Sequence, residues 1–147
     1  MNKIFLKELN KKTNKNFEIF YKNYLIDITK KKIKEDKFKQ ILNKYKKIKD
    51  RKIFIISFRH LVIGFISLTI FKNIFNRKIC LINDFYIAKK SRNKKMATNS
   101  IHQLLKKIKK NKISECRVEI LKSNNKVKKF WKIFRLKKRS SLFTIKI

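Results

Sequence analysis

The stretch "FYIAKKSRNKKMATNSIHQLL", residues 85–105, joins a strand pattern directly to an amphipathic helix pattern. The start of a helix offers unpaired backbone N–H groups and a positive dipole end, so such a junction suits a phosphate. The turn usually uses glycine, and this one carries "SRNKK" instead. Two readings are open from these residues: a phosphate-binding turn without its glycine, or a plain basic helix start. Other reactive side chains are sparse. His60 reads as a turn residue and His102 as the polar side of a helix, each without a partner to make it a base. Cys80 and Cys116 lie in apolar stretches, and paired-cysteine spacing for a metal is absent. They read as reduced core thiols, which fits a cytoplasmic setting.

These residues need a scaffold, and the sequence supplies one. The 147 residues suffice for one domain, 1–147, with a real core. Hydrophobic residues make up 43%, too many for a disordered polycation. The formal charge of +34, from 43 Lys and Arg against 9 Asp and Glu, admits a nucleic-acid partner. Yet the lysines are scattered rather than gathered into a patch. With one Gly and no Pro, the composition matches what an extremely AT-rich genome imposes on any surface. The opening residues turn polar too soon for a signal peptide. The apolar run 53–71 carries Arg59 and His60 at its middle, and a charge there costs about 2.5–3.5 kcal/mol in a bilayer. It reads as two strands and a turn, with no membrane partner.

Strand patterns fall at 3–9, 52–58, 61–71, 79–88, 115–121 and 141–147. Helical spacing falls at 14–25, with Thr13 as N-cap, and at 35–48, 92–111 and 124–134. The aromatic stripes of the first two helices (Phe17, Phe20, Tyr21 and Tyr24; Phe38 and Tyr45) read as core. The order is β-α-α-β-β-β-α-β-α-β. Strand, helix, strand across 79–121 predicts a right-handed crossover and a parallel pair. The fold class is therefore α/β (α+β): a mixed, mostly antiparallel sheet with helices on both faces.

From about residue 52 onward this order and these motifs resemble the GNAT superfamily of acyl-CoA-dependent N-acetyltransferases. "LVIGFISL", holding Gly64, resembles the family's central hairpin strand. "INDFYIA" resembles its fourth strand, and "RNKKMATNSIHQLL" its Arg/Gln-x-x-Gly-x-Gly/Ala turn and helix. "NNKVKKFWKIFRL" resembles its Asn-x-x-Ala-x-x-Phe-Tyr segment, and "LFTIKI" its closing strand. Among members the similarity leans toward small-amine types, aminoalkylphosphonate or diamine acetyltransferases.

The resemblance implies direct attack of an amine on the thioester of acetyl-CoA, with no metal. It implies a pyrophosphate turn at Arg92, Asn93, Lys94, Lys95, Met96, Ala97 and Thr98, with Lys95 at the family's glycine and Arg135 at a second lost glycine. Phe85, Tyr86 and Ile87 would pair with the pantetheine arm, and an N–H near Tyr86 or Ile87 would meet the developing oxyanion. Asn124 would bond near the same arm. Asp84 would take the amine's proton, directly or through water; a local structural role serves it equally well. Asn83 stands where diamine acetyltransferases carry glutamate, and an amide is no base. Trp131 stands at the family's tyrosine, where it could steady the sulfur but not protonate it. Tyr86 or water would supply that proton. The expected partners are acetyl-CoA and an amine acceptor, with the chain a monomer or homodimer. Two alternatives remain: a catalytically weakened member of the fold, and a basic nucleic-acid- or ribosome-binding protein on the same scaffold.

Overall fold

The structure is a computed structural model that describes residues 3–92, 95–120, 124–139 and 145. Its elements are β1 (Ile4–Glu8), α1 (Asn14–Thr29), α2 (Glu35–Lys46), β2 (Arg51–Phe58), β3 (Leu61–Lys72), β4 (Lys78–Ile87), α3 (Met96–Lys110), β5 (Glu115–Val118) and α4 (Asn125–Lys132), with a single 3-10 turn at Lys89–Ser91. The expected closing strand at 141–147 lies outside the described residues but for Ile145, which is in no strand.

The sheet runs in sequence order, β1-β2-β3-β4-β5. The first three pairings are antiparallel and β4–β5 is parallel, as the crossover through α3 requires. The apolar run 53–71 folds as the β2–β3 hairpin. Arg59 and His60 both take positive φ, 47° and 68°, which suits a two-residue turn. No helix among the described residues is long and apolar enough to cross a membrane.

Each face of the sheet buries its own core. On one side Phe17, Tyr21, Phe38, Leu42 and Tyr45 of α1 and α2 pack on Ile53, Ile55, Phe65 and Tyr86. On the other, Met96, Ile101, Leu104 and Ile108 of α3, with Trp131 of α4, pack on Phe54, Ile56, Ile66 and Ile82. Both helix patterns thus bury the stripes their spacing marks. Cys80 and Cys116 oppose each other in the β4–β5 register as free thiols.

Three local expectations are corrected. Thr13 precedes α1 but makes no side-chain cap bond; its hydroxyl and amide pair with Asn10 instead. Helix α3 starts at Met96 rather than 92, because Arg92 is extended after the 3-10 turn. Strand β5 ends at Val118 rather than 121.

Gly64, the one glycine, does not serve a positive φ. A Cβ there would overlap the Tyr86 carbonyl oxygen on the neighbouring strand, so no other residue fits. Positions that do need positive φ, among them Lys30, Asp50, Lys95, Lys112 and Arg135, carry ordinary side chains. A left-handed residue costs about 1–2 kcal/mol, which a fold can absorb; a backbone overlap it cannot.

Candidate functional site

Strands β4 and β5 pair only from Ile79↔Glu115 to Ile82↔Val118. β4 continues five residues further, to Ile87. The two strands therefore form a fork whose crotch lies at Ile82 and Val118. The Ala88 N–H donates to the Ile63 carbonyl at 2.8 Å, which fixes the alternation along this end of the β3–β4 ladder. Tyr86 turns its amide and carbonyl toward Phe65. Phe85 and Ile87 turn theirs away from β3, into the fork. Of the two amides expected to meet an oxyanion, Tyr86's is committed to the sheet and Ile87's faces the open side.

A bulge sets the side chains. Ser67 opposes Asp84 and Leu68 opposes Ile82, leaving Asn83 as the extra residue. Ile82 belongs to the α3 side. Strict alternation would send Asp84 there too, among leucines and isoleucines. The extra residue reverses the sense, so Asp84 and Tyr86 face α1 and α2 while Phe85 and Ile87 face α3 and α4.

On that face Asp84 meets three hydroxyls. Tyr24 donates to its Oδ1 at 2.7 Å, and Tyr45 and Ser67 donate to its Oδ2 at 2.6 and 2.7 Å. A carboxylate has about four acceptor sites, so three are filled and one is open. The structural role expected of Asp84 was local backbone; its partners are instead side chains from α1, α2 and β3. Burial, then the charge of Asp84, pushes the Tyr24 and Tyr45 phenols well above their ordinary values, and Tyr21 up to about 12. All three stay protonated, and Tyr24 and Tyr45 act as donors. Sequence reasoning placed these tyrosines in the core and missed the hydroxyls. The available signal was tyrosine at 21, 24 and 45 where phenylalanine fills 17, 20 and 38.

An open cleft of about 330 Å³ reaches this carboxylate, bounded by Tyr21, Tyr45, Arg51, Asn83, Asp84 and Glu119. It opens at the fork, since Glu119 directly follows β5. A second cleft, of about 560 Å³, runs along α1 to Tyr86 and Lys89. Burial also raises the Tyr86 phenol, followed by the charge of Asp27.

The turn after β4 is built differently from expectation. Arg92 does not project freely toward a phosphate. Its Nε donates to the Ile87 carbonyl at 2.8 Å, its guanidinium pairs with Asp27 at 2.9 Å, and it lies over the Tyr86 ring. Burial raises the Asp27 carboxyl, but bonds from Arg92 and Lys89 outweigh it and hold the group below its usual range. Lys95 adopts φ 57° at the N-cap of α3, the left-handed state its glycine-like position calls for, with its side chain exposed. The Lys95 side chain makes no cap bond, and Met96, Ala97 and Thr98 begin the helix. Asn93 and Lys94 lie outside the described residues.

Trp131 is buried on the α4 side, its ring 6.4 Å from that of Phe85. It therefore lies across β4 from Asp84 and Tyr86, and the fork is where the two faces meet. Asn124 caps α4, accepting the Val127 N–H at 3.1 Å. His60 sits in its hairpin turn, and exposed His102 packs on Phe134. Arg135 takes φ 51°, a second side chain in a left-handed position.

Known structures share this architecture. A possible acetyltransferase from Clostridium difficile 630 superposes with a TM-score of 0.77 at 17% identity, covering 98% of this chain and 97% of its own. A ribosomal-protein-alanine N-acetyltransferase from Brucella melitensis biovar Abortus 2308 gives 0.77 at 11% identity, covering 98% and 99%. An aminoglycoside N-acetyltransferase in complex with CoA gives 0.74 at 11% identity, covering 100% and 96%. At such identities the likeness concerns the fold alone. No curated protein matches the sequence. The sequence profile of the acetyltransferase (GNAT) family matches residues 15–134, which takes in α1, α2, the fork, the Lys95 turn and α4. On that match the chain belongs to the acetyltransferase (GNAT) family.

Proposed function

We propose that the protein transfers an acetyl group from acetyl-CoA to a primary amine, of a small molecule or of a protein N-terminus, by direct attack within the β4–β5 fork. The observation that carries this is the parting of the strands at Ile82 and Val118, directly beyond which stand Asn83 and then Asp84. Acetyl-CoA supplies the activated acyl thioester. Phe85 holds out its strand amide and carbonyl, and Ile87 its amide, to an extended arm. The Ile87 N–H is the donor for the oxygen on which charge develops, a preorganised dipole in a partly closed site.

The pyrophosphate falls to the start of α3, where Met96, Ala97 and Thr98 have N–H groups without intrahelical partners. Lys95 supplies the left-handed turn, and the ammonium groups of Lys94 and Lys95 add charge. Asn124 can cap α4 and still meet the arm. Asp84 is the proton acceptor, through its open site, directly or by way of a water. Tyr86, held protonated, is the donor for the departing sulfur. Trp131 closes the fork from the α4 side.

The size of the Asp84 cleft favours a small amine over a bulky acceptor. Two of the similar structures carry names with unlike acceptors, a ribosomal-protein alanine and an aminoglycoside, so their likeness does not choose between acceptors. One observation favours a weakened binder of CoA: Arg92 is tied to the Ile87 carbonyl, which an incoming arm would compete for.

Thiol release from acetyl-CoA with a panel of primary amines tests the reading. We expect amine-dependent release that Asp84→Asn lowers about 100-fold or more. Acetyl-CoA binding without release by any amine would overturn it.

A further inference from the structure

The acceptor cleft contains a cation that the transfer chemistry does not use. Arg51 begins β2 and opposes Thr69, whose hydroxyl accepts a bond from the Asn83 side chain at 2.8 Å. The next row across the same face holds Ser67 opposite Asp84. Arg51 therefore stands one strand row from the proton acceptor. Its guanidinium lies 4.3 Å from the centre of the Tyr45 ring, whose hydroxyl holds Asp84. Its Nε is buried and has no hydrogen-bond partner, the sole such side-chain atom among the described residues. No carboxylate of the described residues forms an ion pair with it, although Asp84 and Glu119 line the same cleft.

A guanidinium offers five donors in a fixed planar fork, matched to a carboxylate or phosphonate. A buried charged donor left without a partner is unfavourable, so its satisfaction by a ligand is a gain specific to that ligand. The cleft thus has two ends of opposite sign. Asp84 and Glu119 form the end at the fork, where an amine must arrive. Arg51 forms the other end, one strand row away and over the Tyr45 ring.

Resting on the acetyltransferase reading, we infer that the acceptor is a zwitterion: a small primary amine that carries a carboxylate or phosphonate, with Arg51 reading the anion. The amine end meets Asp84 while the anionic end pairs with the guanidinium. Arg51 is a specificity residue and moves no proton. An amine of equal length without the anion leaves the Arg51 donors unpaired, so it is discriminated against.

Two measurements test this separately from the transfer chemistry. The first is calorimetric binding of ω-amino carboxylates of two to five carbons, with alkylamines of matched length as controls, to the wild type and to Arg51→Gln and Arg51→Lys. Binding of one or more amino carboxylates at least about tenfold tighter than of its alkylamine, lost in Arg51→Gln, supports the inference. Equal affinity for the two series, or equal effects of the substitution on both, overturns it. The second is acetyl transfer to the same compounds. Arg51→Gln should raise KM for the amino carboxylate about tenfold or more with kcat nearly kept, and leave the alkylamine unaffected. Transfer to alkylamines as efficient as to amino carboxylates overturns the inference and leaves the acetyltransferase reading standing. Arg51-dependent binding without any transfer has the opposite meaning.

Discussion

The Tyr45 hydroxyl of α2 donates to Asp84 Oδ2 of β4 at 2.6 Å, which ties the helical layer to the strand that forms the fork. The contact exists because Asn83 is an extra residue in β4. If Asp84 is the proton acceptor, then its chemistry and its supports are separable. Asp84→Asn should keep the fold and lose about 100-fold or more in kcat. Tyr45→Phe should lose less than about tenfold, since Tyr24 and Ser67 still orient the carboxylate. Steady-state kinetics alongside thermal melting distinguishes the two. Equal losses in both variants would remove Asp84 from the proton path.

The raised phenols set an alkaline limit on stability. Tyr21 is pushed from the usual 10.0 up to about 12 in the folded state, with Tyr24 and Tyr45 raised as well. The folded state therefore keeps protons that the unfolded chain gives up. This stability is fully present below pH 10 and is lost as pH rises from there through about 12. Denaturant midpoints should fall steadily over that range, with tyrosinate absorbance appearing late and together with unfolding. Because burial is the first cause and Asp84 the second, Asp84→Asn should lower the three phenols while leaving them above the ordinary value. Early, non-cooperative tyrosine ionisation would contradict the structure.

Gly64→Ala is expected to be severe. The added Cβ meets the Tyr86 carbonyl oxygen and, behind it, the Tyr86 carbonyl carbon and the Ile87 Cα. Strands β3 and β4 must separate beside the fork, a strain of about 3 kcal/mol or more. We expect low soluble yield or a melting point lowered by roughly 10 °C or more, with activity lost in whatever folds. Wild-type stability in this variant would show that β3 and β4 are less closely apposed than described.

Lys95→Gly should act in the opposite direction. Lys95 sits at φ 57°, a state that glycine adopts without steric cost. The substitution should stabilise the fold by about 0.5–1 kcal/mol and leave acetyl-CoA affinity undiminished. Arg135→Gly, at φ 51°, should stabilise similarly. A tenfold fall in acetyl-CoA affinity for Lys95→Gly would show instead that its ammonium grips the phosphates.

Periodicity carried the element order through α4, the hairpin at Arg59 and His60, and the parallel β4–β5 pair, because one apolar stripe or alternating run defines each. It placed the start of α3 four residues early, since the basic residues before Met96 have no apolar partner to fix their phase. Of the candidate site, the place of Asp84 along the chain was legible but its surroundings were not. Asp84 stood out as an acid in an apolar strand. Its rotation toward α1 and α2 depends on a one-residue bulge, which linear spacing does not reveal. The tyrosines at 21, 24 and 45 were hidden because a buried ring looks alike with or without a hydroxyl put to use. Asp27 and Arg92 meet across 65 residues, and Arg51 reaches Asp84's surroundings only once β2, β3 and β4 lie side by side.

Calorimetric titration with acetyl-CoA, beside a short RNA at two salt concentrations, tests the central claim most directly. The account predicts micromolar acetyl-CoA binding that changes little with salt, weakened by substitutions that close the fork at Ile87. Absence of acetyl-CoA binding, together with RNA binding that falls steeply with salt, would contradict it and make the lysine-rich surface the functional one.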